Sequence, residues 1–76
     1  MRNIRYISDI QDSENIGALI RESRRAKGLK LRDVARRSGV SESAISKYEK
    51  GTRIPNYESL RRILDALDID IVLVNN

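Results

Sequence analysis

Three glycines, Gly28, Gly39 and Gly51, divide the middle of this chain into segments of ten and eleven residues, a spacing that admits only short helices. Each glycine closes a run in which apolar residues recur at helical intervals. Ile16, Leu19 and Ile20 mark a first helix, with Ser13 as its expected N-cap and Arg24, Arg25 and Lys27 in its last turn, where cations suit the helix dipole. A second covers about residues 31–37 with Val34 and Ala35 facing inward. Ser41 caps a third, with Ile45 and Tyr48 on one face. Residues 52–55 read as a loop, because a residue before proline is biased away from the helical region. Asn56 caps a fourth helix, and Leu60, Ile63, Leu64 and Leu67 form its apolar stripe. At residues 69–74 the period changes and β-branched residues dominate, which predicts a strand. The sequence thus divides into residues 1–12, a short strand or flexible segment carrying Ile4, Tyr6 and Ile10; a helical domain over 13–67; and a closing strand over 68–76.

Composition removes whole classes of function. With 76 residues the chain forms one domain, and folding buries only ~60% of the surface exposed by its unfolded form, so a partner subunit would help it. It has no Cys and no His, which excludes disulfides, thiolate nucleophiles, structural zinc and histidine acid–base chemistry. No glycine-rich phosphate loop occurs, so an enzyme, a cofactor and a bound metal are not expected. The longest apolar run, residues 71–74, is far short of a membrane span or a signal-peptide core, so a cytoplasmic protein is expected.

The formal net charge of +4 conceals an uneven distribution. Residues 21–62 carry 13 basic residues against five acidic ones, a net of +8, between two acidic ends. Arg outnumbers Lys 11 to 4, and the guanidinium fork matches phosphate better than a point charge does. The basic excess lies where two short helices are joined by a glycine-containing turn, the helix-turn-helix arrangement whose second helix enters the DNA major groove. Ala35 is small where the helices cross, Gly39 suits a positive φ, Val40 and Ile45 fill the wedge between the helices, and Ser41 caps the recognition helix.

The stretch GLKLRDVARRSGVSESAISKYEKGTRIPNYESLRRILDAL resembles the phage-repressor, Cro-like (XRE) helix-turn-helix family, and the resemblance covers about residues 16–67. Its specific part runs from Val34 and Ala35 through Gly39, Val40, Ser41, Ile45, Ser46, Glu49 and Gly51 to Pro55. It implies a mainly α, compact four- to five-helix repressor-like DNA-binding domain. By this resemblance Glu42, Ser43, Ser46 and Lys47 face base edges. Lys47 suits guanine O6 or N7, Glu42 suits cytosine N4, and the serines suit either base. Glu42 is equally placed to favour the helix N-terminus through the dipole. Phosphate contacts are implied at Lys30, Arg32, Arg36, Ser41, Lys50, Arg53 and Asn56, and a structural ion pair at Arg24 and Glu49. The family often begins its second helix with Thr or Ser followed by Gln, where this chain has Lys30 and Leu31. Arg21, Arg25, Arg61 and Arg62 read as solvated surface.

A lone closing strand has unpaired edges and needs a mate. Pairing across a homodimer would bury Ile69, Ile71 and Leu73, whereas the alternative mate is the segment from Ile4 to Ile10 of the same chain. The closing strand resembles the HipB-type antitoxin and regulator branch of the family. That branch implies a dimeric repressor on a palindromic operator, nucleoid-associated when bound to double-stranded DNA, with a HipA-like kinase toxin as partner. The competing reading is a protein-interaction module that neutralises a toxin or another partner, with DNA binding secondary.

Overall fold

The computed structural model describes residues 2–9 and 11–74. Strand β1 (Asn3–Ile7) leads into helices α1 (Ser13–Ala26), α2 (Leu31–Ser38), α3 (Glu42–Glu49) and α4 (Tyr57–Ala66), and strand β2 (Ile69–Leu73) follows. The expected role of Ile10 in the N-terminal segment and the last two residues of the predicted tail lie outside the described residues.

Helix boundaries follow from caps. The cap of α1 is Asp12 rather than the expected Ser13: its carboxylate accepts the Asn15 backbone N–H at 3.1 Å and the Asn15 amide at 2.8 Å. A carboxylate also meets the positive end of the helix dipole, so it wins over a neighbouring hydroxyl. At the other end Gly28, with φ 67°, forms a Schellman turn. Gly28 N–H donates to Arg25 O and Leu29 N–H donates to Arg24 O. Ser41 Oγ accepts from Ala44 N–H at 3.1 Å and Asn56 Oδ1 accepts from Ser59 N–H at 2.8 Å, which start α3 and α4. Lys30, at the start of α2, has no acceptor in its side chain and cannot cap in that way. Instead Asp33 reaches back and accepts the Lys30 N–H at 2.8 Å.

The helices enclose a core of Ile16, Ile20, Val34, Ile45, Tyr48, Leu60, Ile63 and Leu67. At Gly17 the backbone of α1 lies close against that of α3. A Cβ on Gly17 would stand 2.4 Å from Tyr48 O and 2.9 Å from Glu49 O, so only glycine permits this contact.

Within the chain the mate of β2 is β1, and the two run parallel with Asn3 beside Ile69 and Ile7 beside Leu73. Of the two mates considered from sequence, the chain's own N-terminal segment therefore takes one edge. A corrected assignment follows for Ile69, expected at a dimer interface. It is 1% exposed and belongs to this domain's own core, because the register turns it inward against α4 together with Ile7 and Ile71. The join from α4 to β2 is made by Asp68, whose φ of 56° is a left-handed conformation that Asp tolerates better than most residues with a Cβ.

Candidate nucleic-acid interface

Helix α3 divides cleanly into two faces. Ile45, Tyr48 and Glu49, at i, i+3 and i+4, are buried against the other helices. The complementary positions Glu42, Ser43 and Lys47 are exposed, with Ser46 half-buried beside them. Among the described residues none of these four side chains is held in an intramolecular hydrogen bond or ion pair, so each is free to meet a ligand. Lys50 continues the same stripe one turn on and is also exposed.

Exposed cations lie on the neighbouring elements: Lys30 at the start of α2, Arg32 and Arg36 on α2, and Arg53 in the loop after α3. The guanidinium of Arg53 lies 6.0 Å from the ring centroid of buried Tyr48, which steadies a long side chain that would otherwise sweep freely. The two cap residues retain hydrogen-bonding capacity outward. Ser41 uses its oxygen as an acceptor and keeps its hydroxyl proton to donate, and Asn56 keeps its amide NH2. Both therefore suit phosphate oxygens without giving up their caps.

The C-terminal end of α3 is fastened to α1 by two arginines. Arg24 binds Glu49 with two parallel bonds, Nε to Oε2 at 2.7 Å and Nη2 to Oε1 at 3.0 Å, and its Nη1 donates to Leu29 O at 2.9 Å. Both side chains are largely buried. The carboxylate bonded to it raises the Arg24 pKa further, so the guanidinium stays charged. Arg21, read from sequence as solvated, instead donates to the Glu49 backbone carbonyl at 3.1 Å, neutralising an unpaired C-terminal carbonyl. Arg62, also read as solvated, is exposed and pairs with Glu58 one turn away at 2.7 Å. Gly17 and Arg21 are the two residues of this anchorage that sequence reasoning missed. For Gly17 a signal existed: a glycine between Ile16 and Leu19 weakens a helix and implies a packing reason.

Asp33 carries a consequence for pH. The backbone N–H of Lys30 lowers its pKa most, and Arg32, Arg36 and Arg37 lower it further, against a smaller desolvation effect. A carboxyl with a depressed folded-state pKa stabilises fully above its unfolded-chain value and loses that contribution as pH falls through the folded one. The start of α2 is therefore expected to weaken below about pH 4. Melting temperatures between pH 6 and about pH 2 should fall less steeply in Asp33→Asn than in wild type.

Among the described residues no helix is long and apolar enough to cross a membrane, and no cluster of three or more His, Cys, Asp or Glu is placed to hold a metal ion.

Two short helices joined through Gly39, with an outward stripe on the second and cations around it, define a helix-turn-helix domain. The helix-turn-helix family profile matches residues 20–74, and the chain belongs to that family, in its XRE-type form. It is similar to an uncharacterized HTH-type transcriptional regulator, y4dL, of Sinorhizobium fredii, 39% identical over 61 residues, which are 80% of this chain and 31% of the relative. It is also similar to the ImmF control region 10 kDa protein of Bacillus phage phi105, 33% identical over 79% of this chain and 67% of the relative. A further HTH-type transcriptional regulator, from Archaeoglobus fulgidus, is 40% identical over 83% of this chain and 28% of its own length. The chain spans about a third of the length of two of these three relatives. No solved structure matches it.

Proposed function

We propose that this chain is a sequence-specific DNA-binding repressor that works as a dimer on a palindromic operator. The observation that carries the reading is the outward face of α3, where Glu42, Ser43, Ser46 and Lys47 are free of internal bonds and bordered by exposed Lys30, Arg32, Arg36, Lys50 and Arg53. Glu42, Ser43, Ser46 and Lys47 read base edges, while Lys30, Arg32, Arg36, Ser41, Lys50, Arg53 and Asn56 hold phosphates. Two copies related by a two-fold axis present two recognition helices to successive major grooves, ~34 Å apart. Repression follows from occupying the promoter and needs no chemistry. The transcriptional-regulator and phage control-region names of the relatives support the same reading.

Mobility shifts on the DNA upstream of the protein's own gene test this proposal. Lys47→Ala is expected to abolish preference for the operator over scrambled DNA while leaving nonspecific binding in place. Lys50→Ala should weaken both about equally and reduce the slope of log K against log salt by about one. A wild-type protein with no sequence preference overturns the reading.

The closing strand supports a finer version, in which the repressor is the antitoxin of a HipBA-like operon and holds a HipA-like kinase toxin. Co-expression with the adjacent gene product decides it: a stable complex that suppresses kinase toxicity is expected, and absence of any such neighbour removes the antitoxin role while leaving the repressor.

A further inference from the structure

Helices α1 and α3 end in the same kind of turn, yet the residue that closes each turn differs in chemistry. After α3, Gly51 N–H donates to Tyr48 O at 3.0 Å and Thr52 N–H donates to Lys47 O at 3.1 Å. These are the two bonds of a Schellman motif. After α1 the residue in the place of Thr52 is Leu29, which packs against the core and makes the apolar contact that often accompanies the motif. Thr52 is polar and exposed. Its hydroxyl supplies a third bond instead: Thr52 Oγ1 donates to Lys47 O at 3.1 Å. A carbonyl oxygen has two lone pairs, so a single residue engages both.

The position of this clasp in the interface is specific. Lys47 is the cation of α3 assigned to base edges, and Thr52 stands between Lys50 and Arg53, two of the cations assigned to phosphates. Lys50 N–H donates to Ser46 O at 3.1 Å, so residues 50, 51 and 52 are each tied to a different carbonyl of α3. Arg53 is the first residue beyond the clasp. Its guanidinium lies 6.0 Å from the ring centroid of Tyr48, which is buried and therefore a fixed platform. Arg53 is thus aligned at its backbone by Thr52 and at its charged end by Tyr48. A branched Cβ with a bonded hydroxyl also restricts Thr52 itself to one rotamer.

We propose that Thr52 is a positioning residue of the nucleic-acid interface: its two bonds to the Lys47 carbonyl hold Arg53 against the base-reading stripe, so that phosphate and base contacts are made in one register. The proposal rests on the DNA-binding reading above and deepens it. Thr52 need touch no nucleotide for this role. An arginine on a free loop loses conformational freedom at each encounter with DNA, whereas a turn closed on α3 has lost it already in folding. The anchored carbonyl belongs to Lys47 itself, so a shift of the last turn of α3 carries the base contact and the phosphate contact together.

Thr52→Val keeps the branched shape and deletes the hydroxyl bond, and Thr52→Ala deletes it without adding a methyl group. Each is expected to lower operator affinity in mobility shifts by about fivefold, the factor for one arginine that must be ordered on binding. Thr52→Ser retains the hydroxyl and should stay within about twofold of wild type. The decisive readout is coupling. In an Arg53→Ala background Thr52→Val should cost less than about twofold, because the residue it positions is gone. In a Lys30→Ala background, whose phosphate contact lies on another element, the loss should remain about fivefold. A merely structural role would lower affinity by the same factor in both backgrounds. Helical circular dichroism at the assay temperature verifies that each variant is folded. Equal losses in the two backgrounds overturn the positioning role, as do hydroxyl-free variants that bind like wild type. A Thr52→Ser protein as weak as Thr52→Val also overturns it. A wild type with no preference for operator over scrambled DNA overturns the DNA-binding reading, and this inference with it.

Discussion

Gly17→Ala is expected to lower the melting temperature by roughly 5–15 °C, although it replaces a helical glycine with the best helix former. The added Cβ would meet Tyr48 O and Glu49 O, which are backbone atoms that no rotamer change can move aside. The helices must separate, and overpacking of this kind costs about 1–3 kcal/mol. Propensity favours alanine by only about 1 kcal/mol, so the clash prevails. Because the displaced element is α3, operator affinity should fall along with stability. Thermal melts and mobility shifts on the same variant check both effects. A melting temperature within about 2 °C of wild type would show that α1 and α3 do not make this contact.

The second large effect concerns Arg24 and Glu49. Their side chains are 13% and 8% exposed, so removing one partner leaves a largely buried charge without its counterion. Arg24→Ala and Glu49→Ala are each expected to cost about 3 kcal/mol. The double variant Arg24→Met with Glu49→Leu should recover most of that loss, since apolar residues of similar volume often replace a buried pair without penalty. Recovery stays incomplete because Leu29 O also loses its donor from Arg24. Denaturant melts of the two single variants and the double variant decide the matter. A double variant no more stable than the singles would place the effect in side-chain packing and not in charge. Since Lys50 follows Glu49 directly, operator binding in the double variant reports whether the pair serves only to hold α3 in place.

These two predictions rest on residues of opposite legibility. The Arg24–Glu49 contact was accessible through the family resemblance, which supplies a pairing across 25 positions of the sequence. For Gly17 the sequence signals a close contact but not its partners, which are carbonyls of residues 48 and 49, and a carbonyl looks the same at every position. Arg21 was misread for the same reason: its acceptor is a backbone atom, so neither charge pattern nor helical spacing indicates it. The outward stripe of α3 was legible because it is the complement of a buried stripe on one helix, and helical periodicity alone defines both.

Local chemistry within the chain was enough for the helix ends at Gly28, Gly39 and Gly51, the caps at Ser41 and Asn56, and the strand character of residues 69–73. A positive φ, a cap bond or an apolar period involves residues within a turn of one another, and residue type encodes it. The parallel mate of β2, the burial of Ile69 and the Arg2 guanidinium on the strand edge were settled by the fold. Strand edges pair through backbone groups that all residues share, so the choice of neighbour depends on where the packed helices bring the two ends of the chain.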